Sequence, residues 1–147
     1  MAKFAEITVK NIDKVNEFLT AEDFSAITSA LATNGATSAT FGACFDMKDR
    51  DTKHLVIIQN TNASAAKVAT IKAGNGIQGV TDIDISLAAG KYTAVVVESG
   101  RFKNVTENPT LRDLSSATEA DKIGAKGKVF ITGDSADIKV AVIKLPC

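Results

Sequence analysis

Few residues in this chain could do bond-making chemistry, and their spacing decides what each is for. Gly74-Asn75-Gly76-Ile77-Gln78-Gly79 matches G-x-G-x-x-G, the pattern by which a strand-to-helix turn holds a pyrophosphate at a helix N-terminus. A strand-like run precedes it. Behind it, however, Val80-Thr81-Asp82-Ile83-Asp84-Ile85 alternates with period 2, so the helix that would face the pyrophosphate is missing. The glycines are expected to form a hairpin turn at positive φ, and no cofactor is expected.

His54 is the single histidine, which removes paired-histidine metal sites and proton relays between imidazoles. It opens an apolar run, and a packing role is expected. Cys44 lies ten residues upstream without an oxyanion-type glycine signature, so a cysteine–histidine hydrolase is not supported. Cys44 and Cys147 form no CxxC and have no ligand partner at metal spacing; a buried hydrophobe and a terminal free thiol are expected. Asp46, Asp49 and Asp51 lack the donor spacing of a calcium loop, and Lys48, Arg50 and Lys53 offset their charge. Asp82 and Asp84 share one face of a strand, read as the solvent face. With no Trp and one Tyr, there is little aromatic surface on which a sugar could stack. No catalytic, cofactor-binding or metal-ligating residue emerges, and the chain is not expected to be an enzyme.

The elements that would position any site are easiest to read in the second two-thirds. Residues 54–60 are a β-branched run ending in an Asn/Thr cluster, and 67–72 alternate into Gly-Asn-Gly. Residues 82–87 alternate strictly, 92–98 follow the turn Ala89-Gly90-Lys91, and 128–132 and 138–145 flank Gly133-Asp134. Short alternating runs with turn residues at each break predict six antiparallel strands and a sandwich or barrel. In the N-terminal third, 4–9 read as a strand. Residues 13–33 read as one or two strands, with a short helix, for which Thr20 and Asp23 would form a capping box, as the alternative. Residues 107–126, with Asn108-Pro109, Gly124 and Gly127 nearby, read as a long surface loop. The expected fold is a single-domain, mainly β antiparallel sandwich over 1–147, with 54–147 as its core and 1–53 less defined.

Composition narrows the function further. The chain has 147 residues, 45% hydrophobic and 23% charged, and its seventeen basic residues balance seventeen acidic ones. A nucleic-acid binder needs a basic excess to neutralise phosphates, so no nucleic acid is expected as a partner. No apolar run reaches the roughly 20 residues of a membrane helix, and the N-terminus lacks a signal-peptide core. No membrane partner is expected, and the product should stay in the cytoplasm where it is made. A net charge of zero also suits a protein that assembles with copies or partners.

Residues 56–103 carry a resemblance. Asn60-Thr61, Ala73-Gly74-Asn75-Gly76, Leu87-Ala88-Ala89-Gly90-Lys91 and Glu98-Ser99-Gly100-Arg101-Phe102, with the ending Ile138 to Pro146, form a rhythm. It resembles small structural proteins of bacteriophage morphogenesis clusters, the capsid decoration (cement) proteins in particular. The resemblance implies an immunoglobulin-like or related sandwich on the virion surface, with the major capsid protein as partner and self-association as a further contact. A tail component, or a sandwich module for a bacterial surface glycan or receptor, is the alternative. Arg101, Phe102, Pro109, Leu111 and Arg112 combine the guanidinium, aromatic and apolar groups enriched at interfaces and are the expected contacts. Phe102 and Leu111 would serve equally as core residues.

Overall fold

The computed structural model describes residues 4–12, 19–33, 41–47, 52–107 and 124–146. The six strands expected from alternation all form: β6 (Lys53–Asn60), β7 (Lys67–Ile71), β8 (Ile83–Leu87), β9 (Tyr92–Glu98), β10 (Lys128–Gly133) and β11 (Ile138–Lys144). Ahead of them come β1 (Ala5–Glu6), β2 (Val9–Asn11), helix α1 (Ala21–Ile27), β3 (Ser29–Ala30), β4 (Ala32–Thr33) and β5 (Phe41–Asp46). A one-turn helix, α2 (Ser99–Phe102), follows β9. One sheet is ordered β1-β5-β10-β7-β8, with β4 also on β5; the other is β2-β11-β6-β9, with β3 also on β11.

The two sheets pack face to face, so the chain is a mainly β sandwich. In β6, alternate residues His54, Val56, Ile58 and Asn60 are buried while Leu55, Ile57 and Gln59 are half-buried, as period 2 dictates for a strand with one face in the core. The core joins Val56, Ile58, Val97, Val140 and Val142 of one sheet to Phe45, Ile71, Val129 and Ile131 of the other. Burying each of these side chains contributes about 1.5–3 kcal/mol. Ile7, Leu31 and Met47 belong to the same core, so the less defined first third supplies its share of it.

Two expectations change in that third. Residues 4–9 are not one strand: β1 pairs in parallel with β5 and β2 in parallel with β11, because Ile7 and Thr8 carry the chain across from one sheet to the other. These are also the exceptions to the antiparallel pairing expected throughout. The region 13–33 resolves into α1 followed by β3 and β4, with 13–18 outside the described residues. Thr20 and Asp23 cap the helix reciprocally: Thr20 Oγ1 accepts from the Asp23 amide (3.1 Å), and Asp23 Oδ2 accepts from the Thr20 amide (3.2 Å), the capping-box geometry. The hydrogen bond from Lys10 (2.8 Å) and those from Thr20 hold the Asp23 carboxyl down at about 2.

Strand β5 had no counterpart in the sequence reading. Ala43, Cys44, Phe45 and Met47 are all buried because both faces of β5 are covered. Phe45 faces the core. Cys44 lies on the other face in a second cluster with Phe4 and Phe130, whose rings meet edge-on at 4.9 Å. Gly42 leaves the space Phe4 needs, since a Cβ there would overlap the Phe4 ring.

Candidate interaction surface at the loop pole

The ends of the strands define two poles. At one, the turns 61–66, 88–91 and 134–137 meet; at the other, the 72–82 loop meets α2 and residues 103–107. Each is tied by asparagine.

The first pole is built on Asn60, which is fully buried. Its Nδ2 donates to the carbonyls of Ala65 (2.9 Å), Leu87 (3.0 Å) and Ala88 (3.2 Å), and its Oδ1 accepts from the Asn62 amide. Asn62 in turn accepts from the Ala65 amide and donates to Asp137 Oδ2 at 2.8 Å. The Asn62 amide, followed by the Ser135 hydroxyl, holds the Asp137 carboxyl below its ordinary value. Gly90, at φ 68°, closes the turn there in a conformation that favours glycine.

The second pole is built on Asn75. Its Nδ2 donates to the Thr106 carbonyl (3.0 Å) and hydroxyl (2.9 Å), and its Oδ1 accepts from the Val105 (2.8 Å) and Thr106 (3.2 Å) amides. The Gly74 amide donates to the Arg101 carbonyl, and the Gly79 amide to that of Gly76. At the base, Asp82 accepts from the Ala73 amide (2.7 Å) and pairs with Lys72. Partial burial pushes the Asp82 carboxyl up, but the Lys72 and Ala73 hydrogen bonds outweigh it and leave it below its ordinary value. The loop is a hairpin connection between antiparallel β7 and β8, as the failed helix context required. Its glycines serve differently from expectation: positive φ occurs at Gly90 and Gly127 and at none of 74, 76 and 79. A Cβ on Gly74 would strike the Lys103 backbone, one on Gly79 the Gly74 carbonyl, and one on Gly100 the Gln78 amide. Close approach, not handedness, is what these glycines provide.

This frame holds three apolar side chains out to solvent. Ile77 is 104% exposed, Val80 78% and Val105 46%. Scattered exposed hydrophobes need no explanation, but three on adjoining loops tied by a side-chain clamp make a preformed apolar knuckle. Arg101 stands beside it, donating to the Thr81 hydroxyl (3.4 Å), with its guanidinium 5.1 Å from the Phe102 ring. A shallow cleft of about 180 Å³ adjoins it, lined by Thr52, Lys53, Gln78, Glu98, Ser99 and Gly100; the buried Thr52 hydroxyl has no hydrogen-bond partner among the described residues.

Of the contacts expected from the sequence, Arg101 is exposed at this pole and Phe102 is 2% exposed in the core beneath it, the packing role the sequence had left open for it. Pro109, Leu111 and Arg112 lie outside the described residues, as does most of the 107–126 loop. The knuckle itself was missed. Its signal was Ile77 and Val80 standing inside a glycine-rich turn, where polar residues are the rule.

The remaining candidates resolve individually. His54 is buried and lies 5.7 Å from Phe45, on the opposite side of β5 from Cys44, so the two cannot form a catalytic pair. Burial pushes the Cys44 thiol up to about 12, and it stays protonated at neutral pH. A cleft of about 380 Å³ where β1 passes to β2 is lined by Asp46, His54 and Lys144 among others, with no Ser or Cys among the described residues of its wall. Asp46 lies 3.3 Å from Lys128, while Asp49, Asp51 and Cys147 are outside the described residues. Asp84 is exposed and accepts from the Thr70 hydroxyl at 2.6 Å. Among the described residues no three His, Cys, Asp or Glu gather as a metal site, and no helix is long and apolar enough to cross a membrane.

Comparison of the chain with family models, with curated proteins and with solved structures found no match in any of the three. The segments that carried the resemblance to phage structural proteins have a definite place in the molecule. Asn60-Thr61 and Leu87 to Lys91 build the first pole, and Ala73 to Gly76 with Glu98 to Phe102 build the second.

Proposed function

We propose that this chain is a bacteriophage virion structural protein that acts by surface contact, decorating the major capsid protein and stabilising the head. The observation that carries the reading is the knuckle of Ile77, Val80 and Val105, held out by backbone and asparagine hydrogen bonds. A loop whose backbone is fixed before binding loses little conformational freedom on docking, and apolar anchors near an arginine match the composition of interface centres. The sandwich and the turn motifs that resemble decoration proteins supply the particle context.

In this reading Ile77 and Val80 enter an apolar recess on the capsid protein, Arg101 contacts the rim, and no cofactor takes part. The protein is made in the host cytoplasm and ends on the capsid surface. The test adds purified protein to capsids lacking it. Binding that saturates at a regular number of copies per capsid subunit, and is lost in an Ile77→Asp/Val80→Asp variant, is the expected result. Association with tail tubes instead of capsids moves the protein to the tail, and saturable binding to cell-wall glycans with neither particle bound overturns the virion assignment.

A further inference from the structure

Strands β8 and β9 are free edges of the two sheets: β8 pairs only with β7, and β9 only with β6, among the described residues. They are protected very differently. β8 has five residues, and its outward positions carry Asp84 and Ser86, with Asp82 just ahead. Charges on a short edge are the usual defence against unwanted strand pairing. β9 has seven residues, Tyr92-Thr93-Ala94-Val95-Val96-Val97-Glu98, with no proline or glycine and no charge before its last position. Its outward face shows Tyr92 at 74% and Val96 at 49% exposure, with Ala94 between them.

That face continues inward. Val96 lies opposite Leu55 and Ala94 opposite Ile57, and these meet Ala141 and Ile143 of β11, where Ile12 and Leu19 complete the cover. The outer surface of this sheet is therefore apolar from β11 to β9, covered at the β11 side and open at the β9 side. We propose that β9 pairs antiparallel with β9 of a second copy, joining the two sheets into one continuous sheet across a two-fold axis near Val95.

Charge selects the second copy and its direction. Exposed Lys91 precedes the strand, and Lys139 opposes Gln59 on the same flank; exposed Glu98 closes the other end, where it pairs with exposed Lys53 of β6 at 3.4 Å. Antiparallel pairing about Val95 sets Tyr92 opposite Glu98 of the second copy, with Lys91 one residue beyond, so Lys91 of each strand comes within reach of Glu98 of the other and can share it with Lys53. Parallel pairing would put like ends together. The same register places Ala94 opposite Val96 of the second copy, extending the apolar strip and covering Val96 on both molecules. The interface leaves Ile77, Val80 and Val105 uncovered and borders their pole only at Glu98 and Ser99, where α2 begins, so it holds whichever particle the chain serves.

Sedimentation velocity across a wide concentration range tests this. The full chain should sediment at twice 15.4 kDa at high concentration, with Val96→Lys shifting it to a monomer of unchanged thermal stability. Lys91→Glu and Glu98→Lys should each weaken the dimer by about threefold, and the Lys91→Glu/Glu98→Lys double variant should recover it. Amide exchange along β9 should slow on dimerisation in the unmodified protein and not in Val96→Lys. A monomer at every concentration, or a dimer indifferent to Val96→Lys, would overturn the pairing.

Discussion

The two poles of this sandwich use one device for opposite ends. At each, an asparagine side chain donates to at least one backbone carbonyl of a neighbouring loop while its oxygen accepts at least one backbone amide. Asn60 does so in the interior and ties two turns together, with Asn62 holding the third through Asp137, and the turn residues shown to solvent there are small or polar, Ala63, Ser64 and Asp134 among them. Asn75 does so at the surface and braces a loop that holds Ile77, Val80 and Val105 outward. The difference separates closing a fold from presenting a surface, although both segments look alike as Asn- and Gly-rich turns.

The sharpest way to break the comparison is Asn60→Ala. It strips partners from the carbonyls of Ala65, Leu87 and Ala88 and leaves a void, so a loss of about 3 kcal/mol and a fall in Tm of roughly 10 °C are expected by calorimetry. A loss as small as that at a surface residue would show that the first pole is not closed by this side chain.

Gly74→Ala comes next, because a new Cβ must displace the Lys103 backbone; a cost of about 2 kcal/mol is expected from denaturant titration. Asn75→Ala is milder for the fold, about 1 kcal/mol, since its groups can reach water. Its larger effect should fall on particle binding, through a loosened knuckle. Equal effects of Asn60→Ala and Asn75→Ala on stability, with none on binding, would erase the distinction between the poles.

Much of this architecture was legible in the sequence and some was hidden, for physical reasons. Strands with one face in the core and one towards solvent, such as β8, declare themselves by alternation, while β6 is read from its β-branched run. β5 does not, because Phe4 and the Phe130 ring cover its second face and Cys44 is as buried as Phe45. The stretch 4–9 alternates smoothly, yet it changes sheets at Ile7, an event fixed by which partner strand is near and not by local pattern. The clamps were invisible as clamps: nothing local in Asn60 or Asn75 says which carbonyls it reaches, 27 residues away for Leu87 and 31 for Thr106. For the surface, Arg101 was found by residue type, while Ile77 was absorbed into a glycine turn.

The smallest expected effect is on acid stability, and it touches both poles. Asp137 and Asp82 titrate below their ordinary value of 3.8 in the folded chain, so the unfolded chain binds more protons as acid is added. Their stabilisation is present above pH about 4 and is lost as the pH falls through the folded values. Melting curves from pH about 5 to about 3 should show a decline that Asn62→Ala reduces at the first pole and Lys72→Met at the second. An unchanged slope in both variants would place the acid sensitivity elsewhere.

If the proposed docking holds, the pole carrying Ile77 meets the partner and the pole carrying Ala63 does not. A photo-reactive side chain at position 77 or at position 63, in otherwise unchanged protein bound to capsids, tests it directly. Crosslinks to the major capsid protein are expected from position 77 and none from position 63. Crosslinks from 63 alone, on particles that have bound the protein, would contradict it.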